Sequence, residues 1–474
     1  MKYLIYRSFI LLMLLGAVSC TEKLELTPNN SLDTGQALQQ PSDFTNAIKG
    51  VYSRFRTGTY WGGWYQIVPD VLSDNLILNS EGRNSKQGLH YWNYSGTNTW
   101  GGLWTNAYLV AYRANSILEN IESLSDGDFK NNIQGEALAL RAIAHFDLTR
   151  VFAKLPQQAG AGDPGVPYVT STDVTLQPSR PAVQETYDKI IADLEQAKAL
   201  INSDNGTGRL DQSSINAYLS RVYLYAGQYD QAATAATAAI GDGGTITTRA
   251  NFADVWEDKL EQGINFKIRI TEADGNAIGT QYSQTGASGV RSEYNVDFSL
   301  YQLYQDSDIR KSTYFFVGPF ASKEFIHIAK YFGRPSGSLN IVDAKLIRWE
   351  EVYLSRAEAF AELGKDVDAL ADLDAIRAER YENFTSGNET GQALKDAIAL
   401  ERRLELAFEG HRFFDLKRKG LGISRSSFGD ESNGGGVSLP GDVLQMPAGD
   451  PRFQLPIPQA ELNANPNMEQ NPGY

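Results

Sequence analysis

Residues 218–240 read YLSRVYLYAGQYDQAATAATAAI, and residues 353–377 read YLSRAEAFAELGKDVDALADLDAIR. Each is a helical pattern with small residues, then a glycine turn (Gly227, Gly364), then an Ala-rich helix. Small residues let two antiparallel helices approach closely, which is the physics of a tetratricopeptide hairpin. The YLSR tetrad begins at 218 and again at 353, far from the roughly 34-residue period of a tandem array. The hairpins are therefore dispersed, and something else is built onto their frame.

Helical periodicity extends outward from these segments. Trp104, Tyr108, Ala111, Leu118 and Ile121 follow helical spacing, and Val183, Tyr187, Ile190, Ile191, Leu194, Ala197 and Ile201 share one stripe. Residues 134–153 are apolar almost all round, as a helix buried on several sides would be. Composition shifts between these helices. Residues 56–104 are rich in Gly, Asn, Ser and aromatics, 241–345 mix short β-branched runs with polar turns, and 421–448 are rich in Gly and Ser. Loops of this length tend to carry function or to be disordered. The expected fold is mainly α, with tetratricopeptide-like hairpins carrying long loop and small β insertions.

The 474 residues are 42% hydrophobic and 21% charged, a globular composition, and the formal charge is −14. That acidic balance argues against nucleic acid, whose binders need a basic surface to neutralise phosphates. A single Cys excludes an internal disulfide and a Cys-rich zinc site. The four His (His90, His145, His327, His411) are scattered, so a His-cluster metal centre is not expected.

The first twenty residues, MKYLIYRSFILLMLLGAVSC, read as an address. Lys2 and Arg7 form a positive region, Phe9 to Val18 an apolar run too short for a membrane span, and small residues lead to Cys20. The only Cys of the chain sits where the leader ends, as a lipoprotein requires, although Ala17 stands where Leu is more usual. Several acyl chains anchor far more firmly than one. Loss of Lys2 and Arg7 with the leader takes the charge from −14 to −16. The division is then a signal peptide over 1–19, a lipidated tether over 20–43, an N-terminal helical region with an aromatic insertion over 44–240, and a C-terminal region over 241–474.

Signals for catalysis are weak. Residues 160–165 (GAGDPG) match G-x-G-x-x-G, but a dinucleotide loop needs a strand before it and a helix opening within it. Here a helix precedes and Pro164 interrupts, so the segment reads as a turn-rich connection. Glu351, Glu358, Glu401, Glu405 and Glu409 interleave with Arg348, Arg356, Arg402, Arg403 and Arg412 on helical patterns, the spacing of ion pairs on helix faces. No nucleophile elbow, Walker loop or H-E-x-x-H is present. No catalytic residue is assigned, and a hydrolase reading has nothing to locate its cleft.

Aromatics are the stronger signal. Trp61, Trp64, Trp92, Trp100 and Trp104 are five of the seven Trp, and Tyr60, Tyr65, Tyr91 and Tyr94 join them. Two readings of this crowding stay open. Exposed rings would stack on the C–H face of a sugar, with Asp74, Asn75, Asn79 and Arg83 binding hydroxyls. Alternatively the rings pin a long loop to the helices, the reading preferred for Trp104.

In order, the chain carries Cys20, LWTNAYLVAYRANSILENI (103–121), GEALALRAIAHFDLTRVFAKLP (135–156), RPAVQETYDKIIADLEQA (180–197), KLIRWEEVYLSRAEAFAELG (345–364), ERRLELAFEGHRFFDLKRKG (401–420) and LPIPQAELNANPNMEQNPGY (455–474). This series resembles the SusD/RagB family of outer-membrane lipoproteins over essentially the whole mature chain. The resemblance implies a helical body with loops forming a binding surface, and no enzymatic activity. It implies lipid anchorage at the cell surface, a SusC-like TonB-dependent transporter as partner, and an oligosaccharide, or in some members a peptide, as ligand. In the starch-binding member an aromatic arc from an early loop and a middle insertion holds the ligand. The corresponding stretch here, Leu76–Arg83, has no aromatic residue. A shifted arc of Trp61, Trp64, Tyr65 and Trp92 facing Tyr282 and Tyr294, with Asn79 and Arg83, is therefore the expectation, and Tyr301 is read as packing. The acidic balance favours a neutral glycan unless Arg83, Arg291 and Arg310 lie together. A peptide ligand, or a transporter-lid scaffold without its own ligand, are the alternatives. No cofactor is expected, and a structural Ca²⁺ in an Asp- and Asn-rich loop is left open by the sequence.

Overall fold

The computed structural model describes residues 37–83, 85–241, 243–335, 337, 339–426 and 443–474. The leader, Cys20 and most of the tether lie outside the described residues. Helix α1 (Pro41–Phe55) opens at Pro41, within the stretch assigned to the tether. Proline is pre-organised for a first helical position, Asp43 accepts the backbone N–H groups of Gln39 and Gln40 at 3.2 and 3.0 Å, and Leu38 is buried.

Helices α2 (Trp64–Leu72), α3 (Gly101–Glu119), α4 (Asp128–Phe152) and α5 (Val183–Leu200) follow. Every residue of α4 from Glu136 to Phe152 is buried, and its large side chains such as Ile143 and Phe146 each contribute about 1.5–3 kcal/mol by leaving water. α4 packs closely on α5. A Cβ at Gly135 would stand 3.0 Å from the Cβ of Ile201 and 3.1 Å from the carbonyl of Ala197, so the absence of a side chain there sets the approach.

The quoted hairpins form as the sequence predicts. In the first, α6 (Gln212–Ala226) is capped by Asp211, which accepts from the backbone of Ser214 at 2.8 Å while the Ser214 hydroxyl takes the Asp211 N–H at 2.7 Å. It ends at Gly227 with φ of 73°, and α7 (Tyr229–Gly241) returns along it. In the second, α8 (Trp349–Glu362) and α9 (Asp366–Arg380) turn at Gly364, and α10 (Gly391–Glu405) packs on both. Helix α7 lies against α8, so hairpins distant in sequence are neighbours in space. Short α11 (Arg412–Arg418) then packs on α2.

The middle insertion supplies most of the strands. β1 (Leu76–Leu78), from the early loop, pairs antiparallel with β5 (Tyr294–Val296), Leu76 opposite Val296 and Leu78 opposite Tyr294. β2 (Ile264–Ile268) pairs with β8 (Ala344–Arg348), closing the insertion at its base. Between them β3 (Gln284–Gly286), β4 (Gly289–Arg291), β6 (Phe315–Phe320) and β7 (Lys323–Ile328) form a four-stranded sheet.

The Glu and Arg residues expected to pair along helix faces do pair, but between elements and in the interior. Buried Glu405 receives Arg310, Arg348 and Arg380 at 3.1, 2.9 and 2.8 Å. Glu409 binds Arg348 and Lys330, each at 2.7 Å. Glu351 meets Arg221 and Glu358 meets Arg418, both at 2.5 Å. These groups join α6, α8, α9, α10 and α11, and removing one partner of such a buried pair costs about 3–5 kcal/mol.

Candidate functional site

Most of the expected aromatic arc is interior. Asp147 of α4, fully buried, accepts the Tyr60 hydroxyl at 2.7 Å and the Trp61 indole N–H at 2.9 Å on one oxygen, and the Tyr65 hydroxyl and Arg150 at 2.7 Å each on the other. A buried carboxylate without donors would be very costly. The early loop thus brings Trp and Tyr to α4 as donors that also fill volume. Trp61 and Tyr65, with ring centroids 4.4 Å apart, are 2% and 1% exposed.

The other rings are likewise packed. The Trp92 indole donates to the Leu72 carbonyl at 2.8 Å, and the Arg425 guanidinium lies 3.9 Å over its ring. Arg425 also donates to the carbonyls of Val71, Leu72, Ser73, His90 and Val443, which sews the early loop to the C-terminal region. Tyr282 stacks on Tyr331, and the Tyr294 hydroxyl donates to the Ser85 carbonyl; both tyrosines are fully buried. Asn79 donates to Asn295 at 2.6 Å beneath the β1–β5 pair. Asp74 is held by Arg412 at 2.7 Å, and Asn75 donates to Asp70 at 2.7 Å. The rings of Trp61, Tyr65, Trp92, Tyr282 and Tyr294 therefore present no exposed stacking face, which corrects the expected arc. Trp104 is packed as expected, its indole donating to Glu461 at 3.2 Å.

Trp64 and Arg83 remain at the surface, and the structure brings them to one edge. The β1–β5 pair carries residues 79–86 onto residues 281–293. The buried Glu293 carboxylate accepts the Arg83 side chain at 2.5 Å and the backbone N–H groups of Arg83 and Ser85 at 2.9 and 3.3 Å. Burial alone would raise its pKa, and the hydrogen bonds and charge of Arg83 turn the shift downward. Ser85 and Lys86 donate to the Gln281 side-chain carbonyl at 2.9 and 3.1 Å. Lys86, in a left-handed conformation with φ of 60°, rests its ammonium 4.6 Å over the partly buried Trp64 ring, and burial draws its pKa down to about 8. Beside them Arg291 donates to the Glu81 carbonyl at 2.8 Å and Lys323 pairs with Glu81 at 2.7 Å. The result is a basic edge with an aromatic ring at its flank, in a chain that is acidic overall. Arg291 does lie near Arg83, whereas Arg310 is buried among Asp308, Glu401 and Glu405.

Sequence reading missed Lys86, Gln281 and Glu293, which sit in stretches without periodicity. The short apolar run at 76–78 and the alternating Tyr294-Asn295-Val296 were the available signals, because their pairing sets the two loops in register. The GAGDPG segment forms turns after α4, with the Gly165 N–H donating to the Pro181 carbonyl at 2.7 Å. Among the described residues, no cluster of three or more His, Cys, Asp or Glu is arranged to hold a metal, and no helix is long and apolar enough to cross a membrane.

A SusD family model matches residues 237–474, half of the chain. The chain belongs to the SusD family. A second family model, described as starch-binding associating with outer membrane, matches residues 24–224. A SusD-like protein of Formosa agariphila is 25% identical over 98% of both chains. A SusD superfamily protein from Bacteroides vulgatus superposes with a TM-score of 0.82 at 26% identity, over 92% of this chain and 99% of its own. A SusD-like structure described as laminarin binding has a TM-score of 0.72 at 23% identity, over 91% and 99%, and it shares the fold. The SusD fold here is thus mainly helical with small β insertions, as the resemblance implied.

Proposed function

We propose that this protein is a cell-surface glycan-binding lipoprotein without catalytic activity. It is held in the outer membrane by acyl chains on Cys20, and it passes an oligo- or polysaccharide to a SusC-like TonB-dependent transporter. The observation that carries the ligand reading is the edge where Trp64, Arg83 and Lys86 meet Gln281 and Glu293. It lies where an early loop from the span matched by the starch-binding, outer-membrane-associating model reaches the middle insertion. Guanidinium, ammonium, carboxamide and carboxylate groups beside a Trp suit the alternating hydroxyls and C–H faces of a sugar. The whole-chain acidity favours a neutral glycan, whereas the local basic edge suits an acidic one, and salt dependence separates them.

The burial of Trp61 and Trp92 gives the peptide alternative specific support, since it leaves few stacking faces and many polar groups. The test is calorimetry of the mature chain against laminarin, starch, xylan, an acidic polysaccharide and a peptide mixture. Binding to one glycan, weakened at least tenfold in Arg83→Ala while that variant remains folded, supports the proposal. Binding confined to peptides supports the alternative. Silence with every probe leaves the transporter-lid scaffold.

A further inference from the structure

A cavity of about 330 Å³, which shares no residue with the Arg83 edge, is lined by Arg249, Tyr301, Ile309, Ser312 and Phe316. Its size falls within the range of small-ligand sites. Segments remote in sequence meet there: the turn Arg249–Asn251, the short helices Phe298–Tyr301 and Ile309–Tyr314, and β6. Tyr301, expected to be packing, does pack on Phe315 at 5.3 Å. It also lines the cavity, and its hydroxyl has no hydrogen-bond partner among the described residues.

The charges of the lining do not cancel. Asp308 is buried and spent on Arg310, which donates to it at 2.9 and 2.8 Å. Lys311 pairs with Asp306 at 2.6 Å, and the side chain of Asp306 is 98% exposed. Such a surface pair contributes little, so a ligand can part it at small cost. Arg249 is different. Its backbone N–H donates to Glu379 at 2.7 Å, and its Nη1 donates to the Arg380 carbonyl. Among the described residues no carboxylate pairs with its guanidinium, and Nε and Nη2 have no acceptor. With the two pairs set against each other, one positive charge is left in the cavity of a chain that carries −14.

A guanidinium fork matches a carboxylate with two parallel hydrogen bonds, and arginine is favoured wherever such a group is recognised. The groups around Arg249 are those that hold a sugar. Ser312 donates to the Ile309 carbonyl at 3.1 Å, so its oxygen accepts from a ligand hydroxyl. The Tyr301 hydroxyl is free to donate or accept, and the rings of Tyr301 and Phe316 give apolar surface for C–H groups. A pyranose bearing a carboxylate satisfies all of these together, whereas a neutral ring leaves the guanidinium without its anion.

We propose that the Arg249 cavity is a second subsite, which takes a hexuronate residue of an acidic glycan by its carboxylate. The inference rests on the glycan reading of the protein and goes beyond it in setting the charge of the ligand. The test is calorimetry of the mature chain and of its Arg83→Ala variant, in which the other edge is weakened. The acidic probes are oligogalacturonide, oligoalginate and oligoglucuronate, each beside its carboxyl-reduced, neutral counterpart. Laminarihexaose, maltohexaose and xylohexaose are the neutral glycans, and free acetate is the competitor.

The expected result is that at least one uronide binds both proteins about tenfold more tightly than its reduced form. Arg249→Gln abolishes that preference with the melting temperature near wild type. Should that variant not fold, Arg249→Lys, which keeps the charge and loses the fork, is read in its place and weakens uronide binding about threefold or more. Uronide binding unaltered by these substitutions overturns the subsite, and so does equal binding of the reduced form. Uronide binding abolished by Arg83→Ala belongs to the other edge and overturns it likewise. Displacement by equimolar acetate overturns the sugar assignment. Binding of neutral hexaoses alone overturns this subsite and leaves the glycan reading in place, and silence with every glycan overturns both.

Discussion

Trp61 and Trp64 stand three residues apart on one loop, and their surroundings differ in kind. Trp61 is sealed against α4, its indole spent on Asp147 beside the hydroxyls of Tyr60 and Tyr65. Trp64 opens α2 at the surface, with Lys86 over its ring and the Arg83–Glu293 pair nearby. The same residue type therefore serves two purposes. Where a buried helix offers a carboxylate with room for further donors, the ring and its N–H stabilise the fold. Where loops from distant parts of the chain meet, the ring is left for recognition.

The sharpest break in that contrast is Asp147→Ala. It strips the acceptor from three aromatic donors and leaves Arg150 charged and buried. The expected loss is about 3–5 kcal/mol or more, read by denaturant unfolding, with glycan binding lost only because the protein no longer folds. Trp61→Ala should cost about 3–5 kcal/mol through its cavity. A Trp61→Ala protein that unfolds like wild type yet fails to bind glycan would return Trp61 to the site.

Acidification tests the interior as a whole. Burial alone would raise Glu351 and Glu358, but Arg221 beside the first, and Arg418 with Lys419 beside the second, outweigh it and draw both to about 2. Such groups stabilise above their unfolded pKa of 4.5, and that contribution is lost as pH falls toward 2, about 3 kcal/mol for each. Burial pushes His145 and His411 from 6.5 down to about 3. The unfolded chain takes up those protons first, so stability also falls with pH between 6.5 and 3. Burial raises Asp70 to about 6; its contribution is present below 3.8 and lost as pH rises through 6, the opposite sign. Melting temperature should be highest near neutrality and fall steadily toward pH 2. Glu358→Gln should flatten only the part below pH 4.5, and an unaltered slope there would refute the assignment.

What the sequence made legible was governed by local period. The hairpins at 218–240 and 353–377 announce themselves through small residues and glycine turns whose geometry depends on near neighbours. The packing of α7 on α8 was not written in either segment, since it depends on surfaces 100 residues apart. For the same reason the carboxylates of α10 were placed on helix faces when they belong to buried pairs between elements. The aromatic crowd was visible, yet which rings turn inward depended on Asp147, a residue of another helix that gives no local sign of its role. Arg83 and Trp64 were found by residue type, whereas Glu293 and Gln281 needed the register of β1 on β5.

At the surface edge the effects shift from stability to binding. Trp64→Ala should change unfolding free energy little, because Trp64 is only partly buried, whereas Arg83→Ala should cost about 1–3 kcal/mol, because the half-exposed guanidinium is the cation of the buried Glu293 carboxylate. Each should weaken glycan binding at least tenfold in calorimetry. Loss of stability matching that of Trp61→Ala would place Trp64 in the core and remove the contrast.

The smallest effect is the most discriminating. Lys86 covers the Trp64 ring at 4.6 Å, so a sugar that stacks on that face must first displace the ammonium. A cation over an aromatic ring is worth about 0.5–1 kcal/mol when exposed. If the ring face is the platform, Lys86→Ala uncovers it and affinity should rise about twofold to fivefold, with the melting temperature almost unchanged. If instead the ammonium binds the ligand, the same substitution weakens affinity, and more strongly at low salt for an acidic glycan. Because Lys86 also donates to Gln281, Gln281→Ala is the control that frees Lys86 without removing its charge. A gain in Lys86→Ala that is absent in Gln281→Ala identifies the Trp64 face as the surface on which the sugar lies.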